Sequence, residues 1–216
     1  MTSNRRNEIL KSVKGDSILH IGCADHHVRE TSDYWLHKHL VDQFSDVHGI
    51  DISKENINKM KNLGYNNLHV QSAEDFHLGL VFDTIIAGEL IEHLSNPGLF
   101  FESVREHLKP EGRLIITTPY PFSLLNILYS YLKFPKTCQN EEHSMWFCIS
   151  TIRTLASRYG YQEVSYKLIQ DYELDNPSIP YRILSYFLVY LGFLFPKPLK
   201  CNNMIFAFEP KIDYKP

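Results

Sequence analysis

Two residues that follow apolar runs are suited to holding a sugar. Gly22 comes directly after Ser17–Ile21, and Asp51 comes directly after Asp46–Ile50. Ligands of open α/β sheets bind at the carboxyl ends of strands, where a glycine lets the backbone approach them and a carboxylate can accept both ribose hydroxyls. The pair therefore predicts a nucleoside site. The alternatives are simple strand–helix packing at Gly22 and, for Asp51, capping of a helix that begins near Ser53.

Acidic and apolar residues at neighbouring positions could hold the base of that nucleoside. Glu74 and Asp75 follow the apolar run Asn67–Val70, and either carboxylate could accept the amino group of adenine. Phe76 or Ile52 could then lie against the ring.

Two histidines are candidates for a general base. His93 follows the apolar run Phe82–Ala87, and His143 lies in the segment Glu141–Phe147. A neutral imidazole can remove a proton from a hydroxyl acceptor near pH 7. The alternative for each is a structural role, such as tethering a loop to a carboxylate.

These residues need strands that end side by side, and the hydrophobic pattern supplies them. Apolar runs alternate with amphipathic segments, which predicts a parallel sheet covered on both faces. Ser53 and Gly64 are a plausible N-cap and C′ glycine of one helix, and Asn96-Pro97 opens another that ends at Lys109–Gly112. The predicted strands are Ser17–Ile21, Asp46–Ile50, Asn67–Val70, Phe82–Ala87, Arg113–Thr117, Gln162–Ile169 and Asn203–Glu209, and the predicted helices include Ser53–Leu63, Asn96–Leu108 and Ser150–Tyr159.

Two aromatic-rich segments, Phe122–Phe134 and Tyr181–Phe195, interrupt this alternation. The second is too short to span a membrane, which needs about 20 residues. A helix so apolar all round should be covered, either in an enlarged core, as a lid over a hydrophobic acceptor, in a homodimer, or at a membrane surface. Lys197 and Lys200 follow it and suit an anionic bilayer, so we expect binding to detergent or liposomes.

The composition narrows the class of protein. The chain has 216 residues, of which 44% are hydrophobic, so one domain over 1–216 with a substantial core is expected. A net charge of -3 argues against a nucleic-acid partner, because that affinity depends on neutralising phosphates. The four cysteines lie far apart, with no C-x-x-C pair, and the polar N-terminus has no apolar signal region. A reducing cytoplasm is therefore expected.

The order of the motifs resembles one enzyme family. The segments I-G-C-A-D, G-I-D-I-S, A-E-D-F, F-D-T-I-I-A-G-E-L-I-E-H-L and L-K-P-E-G-R-L-I-I-T-T-P, from Ser17 to Pro119, are similar to class I S-adenosylmethionine-dependent methyltransferases. The closest branch is that of the ubiquinone-biosynthesis O-methyltransferases. The resemblance implies a Rossmann-like three-layer α/β sandwich with a mostly parallel seven-stranded sheet and an antiparallel last strand. Helical insertions are expected after strands 5 and 6, at about 120–148 and 175–200.

The same resemblance implies a cofactor, S-adenosylmethionine, which leaves as S-adenosylhomocysteine. Its methionine part would pass along the turn after the first strand, Asp51 and Ile52 would meet the ribose and the base, and the acids after the third strand would flank adenine. The implied contacts are His20, Gly22, Cys23, Ala24, Asp51, Ile52, Ala73, Glu74, Asp75, Ala87, Gly88 and Glu89. The family usually has an acid where His20 stands and a second glycine where Ala24 stands. The segment around His143 resembles the acceptor-side H-x-x-x-F segment of that branch.

A metal is the alternative to a histidine acting alone. The pattern E-x-x-E-H with a distant histidine, here Glu89, Glu92, His93 and His143, is similar to the metal site of small-RNA 2′-O-methyltransferases. Two carboxylates and two imidazoles could hold Mg²⁺, Mn²⁺ or Zn²⁺. The favoured prediction is metal-independent O-methylation of a small hydrophobic or lipid-linked acceptor. The alternatives are metal-assisted methylation of an RNA end or a protein, and a cofactor-binding protein that has lost catalysis.

Overall fold

The strands predicted from the sequence all join one sheet. In the computed structural model, which describes residues 4–24, 35–132, 142–172 and 179–214, they are β1 (Ser17–Ile21), β2 (Asp46–Asp51), β3 (Leu68–Val70), β4 (Phe82–Gly88), β5 (Leu108–Pro119), β6 (Tyr161–Ile169) and β7 (Asn203–Pro210). Their order is β3-β2-β1-β4-β5-β7-β6.

The strand directions place the carboxyl ends of several strands along one edge of the sheet. Strands β1 to β5 are mutually parallel, and β7 is antiparallel to both β5 and β6. We call the edge where β1 to β5 end the site edge. Strand β6 also ends there. The predicted site residues that directly follow one of these strands therefore all lie in loops that leave the sheet at the site edge. The prediction of a mostly parallel sheet with an antiparallel last strand is confirmed.

The three helices predicted by their bounds, α3, α4 and α6 below, begin within one residue of the predicted start. The α-helices are α1 (Asn4–Ser12), α2 (Leu36–Gln43), α3 (Lys54–Asn62), α4 (Pro97–His107), α5 (Leu124–Leu132), α6 (Ile149–Arg158), α7 (Ile179–Leu191) and α8 (Lys197–Lys200). The Ser53 hydroxyl accepts a hydrogen bond from the Asn56 amide at 3.3 Å, and the Asn96 side chain accepts from the Gly98 amide at 3.0 Å. Both predicted N-caps are therefore confirmed, since each satisfies an amide that the helix leaves free.

Apolar side chains alternate between the two faces of the sheet and build a core on each. On one face Ile85 and Ala87 of β4 join a cluster with Phe100 and Phe101 of α4. On the other face Ile86 packs in a cluster with Ile9 of α1 and residues of α2. Successive strand residues point to opposite faces, so a continuously apolar strand is buried on both, and the fold has the three predicted layers.

One predicted boundary differs. Lys109–Gly112 was expected to end a helix before a strand at Arg113, but β5 already begins at Leu108. Leu108 pairs with Phe82 and Arg113 pairs with Thr84, so the residues between them bulge out of the ladder. Pro110 and Gly112 suit such a bulge, because neither favours a regular strand interior.

The two aromatic-rich segments form α5 and α7, within the predicted insertions that follow β5 and β6. Leu188 of α7 is buried, whereas Ile183, Tyr190 and Phe193 are exposed. The alternative that places this segment inside an enlarged core is therefore wrong. In the part of the chain that the structure describes, no helix combines the length and apolar character needed to cross a membrane.

Candidate active site

The turn after β1 lies at the centre of the site edge. The amides of Gly22 and Cys23 both donate to the Ile50 carbonyl, at 2.9 and 3.1 Å, which joins the ends of β1 and β2. Gly22 has φ +71°, a conformation that residues with a Cβ rarely adopt. A Cβ at this position would lie 3.2 Å from the Leu90 side chain. The turn therefore packs closely against the segment that follows β4.

The Asp51 carboxylate bridges two loops beside this turn. One oxygen accepts from the Ala24 amide at 3.1 Å, and the other accepts from the Ser53 amide at 2.8 Å. Because Ser53 itself caps α3, Asp51 is not its N-cap. The structure thus brings Asp51 and the Gly22 turn together, as a shared nucleoside site requires.

An exposed apolar side chain stands next to this carboxylate. Ile52 is 79% exposed, which is unusual for isoleucine at a strand end. Phe76, the other candidate for covering an adenine ring, is fully buried against His107, with the ring centroids 4.5 Å apart. Of the two, Ile52 is the one placed to meet a ligand.

The two acids after β3 have different surroundings. Glu74 accepts from the amides of Ser95 and Asn96, at 2.6 and 2.9 Å, and so holds the loop that begins α4. Asp75 is exposed, with its carboxylate 3.5 Å from the His77 ring. Asp75 is therefore the acid of this pair with a carboxylate exposed for an adenine amino group, while Ala73 packs half-buried against the core.

The segment after β4 is held in a strained conformation. Ala87 is fully buried, and Gly88 leads into Glu89, which has φ +50° although it is not a glycine. The Glu89 amide donates to the carbonyl and to the hydroxyl of Thr117, at 3.0 and 3.1 Å. Such a backbone costs about 1–3 kcal/mol, and residues of this kind cluster at functional sites.

An arginine that the sequence analysis did not single out neutralises Glu89. Arg5 of α1 lies 3.1 Å from the Glu89 carboxylate and 3.5 Å from that of Asp171. Burial lowers the pKa of Arg5, but Glu89 and Asp171 outweigh it and the net shift is upward, so the guanidinium stays charged. The Asn203 amide nitrogen, when turned towards Glu89, lies 3.2 Å from both carboxylate oxygens. The only signal for this contact in the sequence is a basic residue on an amphipathic helix.

His20 and Cys23, two predicted cofactor neighbours, have buried side chains. His20 Nδ1 lies 3.4 Å from His37 Nδ1, with the two rings stacked. Burial, followed by His37, lowers the pKa of His20 well below its usual value, so this ring is neutral. Burial and then Asp51 raise the pKa of the Cys23 thiol, while its carbonyl accepts from the Trp35 indole at 2.9 Å. Both side chains are therefore turned into the interior of the protein.

A second group of side chains gathers beyond the Leu90 contact. Glu92, His93 and His143 each offer a ligand atom, and these atoms lie within 4.8 Å of one another. The His93 and His143 rings are perpendicular, with centroids 4.6 Å apart. The Glu92 carbonyl accepts from the amides of Ser144 and Met145, at 2.9 and 3.2 Å, which fastens the loop with His143 to the loop with His93.

The Glu92 carboxylate is buried and receives no hydrogen bond within the described part of the chain. The residue is 1% exposed. Burial, followed by Glu89, raises the pKa of Glu92 well above its usual value. Burial and then His93 lower the pKa of His143, whose Nδ1 likewise lacks a partner in the described chain. Unpaired buried polar atoms are costly, so this cluster is built either for a protonated Glu92 and a neutral His143 or for a cation.

The structure brings together three of the four residues of the metal alternative. Glu89 lies outside the group of Glu92, His93 and His143, and its carboxylate pairs with Arg5. A metal at this place would therefore have two imidazoles and one carboxylate from the group.

Comparisons with known proteins agree with this fold. Residues 3–166 match the model of a family described as a methyltransferase domain. A search of curated proteins gives no significant match. Among solved structures, a SAM-dependent methyltransferase from Archaeoglobus fulgidus is 16% identical, with a TM-score of 0.65, over 94% of this chain and 90% of its own. The N-methyltransferase NodS from Bradyrhizobium japonicum, in complex with S-adenosyl-L-homocysteine, is 14% identical, with a TM-score of 0.59, over 95% and 85%. The small-RNA methyltransferase HEN1 is 18% identical, with a TM-score of 0.62, over 98% of this chain and 26% of its own.

The sheet order and the site edge together define the Rossmann-like fold of S-adenosylmethionine-dependent methyltransferases. The family model covers most of the chain, and the chain belongs to the methyltransferase domain family. It is therefore a methyltransferase, and its methyl donor is S-adenosylmethionine.

Proposed function

We propose that this methyltransferase acts on an oxygen atom of a small hydrophobic or lipid-linked acceptor, as the ubiquinone-biosynthesis branch of the family does. The observation that carries the proposal is the pair of histidines 4.6 Å apart, in loops joined at Glu92 and next to the Leu90 contact with the Gly22 turn. A hydroxyl acceptor needs a base, and here two imidazoles lie beside the place proposed for the donor.

The residues at the site edge fit the cofactor. The Gly22 turn offers backbone without a Cβ, Asp51 offers two oxygens to ribose hydroxyls, and Ile52 offers an exposed apolar surface to a base. No phosphate-binding glycine repeat is needed, because S-adenosylmethionine contains no phosphate. When bound, the cofactor supplies a methyl group on a positively charged sulfur.

The chain's own task is to align the acceptor and remove its proton. Burial keeps the pKa of His143 below its usual value, so its ring is unprotonated near pH 7 and can accept a proton from a hydroxyl. His93 is proposed either as the base itself or as the group that orients His143. Methyl transfer is an in-line displacement, so alignment and exclusion of water supply much of the rate.

The apolar character of the acceptor is supported by the two insertions. Helices α5 and α7 follow strands that end at the site edge, and Phe122, Ile127 and Tyr131 near or on α5 are exposed. An apolar acceptor would cover such side chains, whereas the net charge of -3 does not suit an RNA acceptor.

The experiment is a labelled-methyl assay with separated lipid extract, RNA and protein fractions as acceptors. We expect the label in the lipid extract, bound to oxygen, and much less label at a limiting cofactor concentration when Asp51→Ala replaces the wild type. Labelling confined to RNA or to protein would refute the hydrophobic acceptor. A chain that binds the cofactor in calorimetry yet labels none of the fractions would refute the proposal as a whole.

A second candidate, metal-assisted methylation, is favoured by one specific observation. The ligand atoms of Glu92, His93 and His143 lie within 4.8 Å of one another, and the Glu92 oxygens have no other partner in the described chain. Mixed carboxylate and imidazole sets suit Mn²⁺ or Zn²⁺ better than Mg²⁺. Such an ion would lower the pKa of a bound acceptor hydroxyl.

The metal candidate is tested by titrating Mn²⁺ or Zn²⁺ into the whole chain and into Glu92→Gln. Binding at micromolar concentration that falls at least about tenfold in Glu92→Gln, but not in the exposed control Glu106→Gln, would support it. Equal affinity in all three proteins would leave the imidazole base as the mechanism.

The proposed location is the cytoplasm. The described cysteines, Cys23, Cys148 and Cys201, are all free thiols, which suits a reducing compartment.

A further inference from the structure

Helix α7 has its apolar side turned to solvent. Ile179, Ile183, Tyr186, Phe187 and Tyr190 follow one another at helical spacing, and Phe193 and Leu194 continue the row; we call these seven residues the apolar face. Each is between 39% and 74% exposed. A helix on the surface of a protein normally turns its polar side outward, so this arrangement is inverted.

The opposite side of α7 packs against the protein and so fixes which side of the helix faces solvent. Ser185 and Leu188 are buried, and the Leu188 carbonyl accepts a hydrogen bond from the side-chain amide of Gln170 at 3.1 Å. A small polar residue thus faces the protein while isoleucine, phenylalanine and tyrosine face outward. Stacking within the face, such as Tyr186 on Tyr190, does not remove it from water.

The charged residues within the segment that carries the apolar face are all positive. Between residues 179 and 200 the sequence has Arg182, Lys197 and Lys200 and no acidic residue. Lys197 lies on the exposed side of the short helix α8 that follows. Exposed apolar and aromatic side chains flanked by lysine are the combination that lies in the interface of an anionic bilayer.

The same charges argue against a second copy of the chain as the occupant. A twofold dimer would bring the same segment of both subunits together, so its three cations would meet three more in one interface with no acid of the segment to neutralise them. Anionic headgroups would instead neutralise them. We therefore propose that the apolar face of α7, with Arg182, Lys197 and Lys200, docks peripherally on the surface of an anionic lipid bilayer.

The position of the face gives this docking a consequence for access. Strand β6, which precedes α7, ends at the site edge, and α5 packs beside α7. A bilayer that covers the apolar face would therefore lie next to the edge where the cofactor and acceptor residues gather. The docking itself does not depend on which acceptor is methylated, and it is tested without turnover.

The experiment is vesicle flotation of the full chain, with no cofactor or acceptor. We expect binding to vesicles of phosphatidylcholine with about one third phosphatidylglycerol, weaker binding to phosphatidylcholine alone, and release as salt is raised. Tyr190→Glu with Phe193→Glu should weaken binding at least about tenfold, because it places charge where apolar surface should be buried. Lys197→Glu with Lys200→Glu should abolish the preference for anionic vesicles.

The matched control is Ile212→Glu, which adds the same charge at an exposed isoleucine beyond the far end of β7. It should float like the wild type. Circular dichroism and cofactor binding report whether each variant is folded. The bilayer proposal is overturned if the wild type does not float with the vesicles, or if the apolar-face variants float as well as Ile212→Glu does. It is also overturned if sedimentation shows a stable dimer that Tyr190→Glu with Phe193→Glu dissociates.

Discussion

At the scale of single residues, Asp51 performs two tasks that can be separated. It bridges the Ala24 and Ser53 amides, and its carboxylate is proposed to hold the ribose. Asp51→Ala should weaken cofactor binding by about tenfold to a hundredfold, the usual cost of one or two lost charge-assisted hydrogen bonds. Calorimetric titration with S-adenosylhomocysteine gives the dissociation constant.

The control for Asp51 is Asp46, at the other end of the same strand. Asp46 accepts from the Ser17 hydroxyl and therefore also contributes to stability. Asp46→Ala should lower the melting temperature yet leave the dissociation constant as it is. Equal loss of affinity in both variants would mean that Asp51 acts through folding alone.

His143 should set the acid limb of the reaction. Its pKa is lowered by burial and by His93, so the base form persists below pH 6.5, and kcat should fall only at more acidic pH. His143→Gln should lower kcat by about 10²–10⁴-fold and remove that limb.

The control for His143 is His107, a buried histidine with a structural role. Its ring accepts from the Leu78 amide at 3.0 Å, and the residue ends α4 rather than lying in the loops of His93 and His143. His107→Gln should destabilise the protein but preserve the shape of the pH profile of kcat. A profile that is unchanged in His143→Gln would remove this residue as the base.

At the scale of elements, Glu74 is predicted to stabilise the start of α4 rather than to bind adenine. It accepts from two backbone amides that precede the helix, Ser95 and Asn96. Glu74→Ala should lower the free energy of unfolding by about 1–3 kcal/mol and leave cofactor affinity nearly unchanged.

Asp75→Ala is the natural partner for that measurement, since Asp75 is exposed and makes no backbone contact through its carboxylate in the described chain. It should weaken cofactor binding with little effect on the melting temperature. The opposite pattern, with affinity lost in Glu74→Ala and kept in Asp75→Ala, would return the adenine contact to Glu74.

The elements themselves were predictable because their signals are local. Strand alternation, Ser53 and Asn96 as caps, and Gly22 at a strand end each depend on a few neighbouring residues. The contact between Arg5 and Glu89 was not predictable, because it joins the first helix to the loop after β4, and only the assembled sheet brings them together. The engagement of Glu74 with Ser95 and Asn96 escaped for the same reason. Periodicity likewise marked α7 as apolar but could not say which side faces the protein.

At the scale of the whole molecule, the buried histidines His20 of β1 and His37 of α2 should make stability depend on pH. Burial lowers the pKa of His37 to about 4, and burial with His37 lowers that of His20 well below 6.5. In the unfolded chain both rings take up protons near pH 6.5. Between pH 6.5 and about 4 the unfolded state therefore binds more protons, and stability is lost as the pH falls through this window.

The size of this effect can be stated and measured. Below pH 6.5, each buried neutral histidine lowers the free energy of unfolding by about 1.4 kcal/mol for every unit by which the pH falls. The free energy of unfolding at pH 5 should therefore be about 3–4 kcal/mol smaller than at pH 7. Denaturant titrations at pH 7, 6 and 5 give the values. His37→Phe should flatten the dependence, whereas His77→Gln, at an exposed ring, should not change it. Because His20 stacks on His37 and lies two residues before Gly22 in the chain, we expect cofactor affinity to decline over the same pH range. A decline in stability that is as steep in His37→Phe as in the wild type would place the acid sensitivity elsewhere in the molecule.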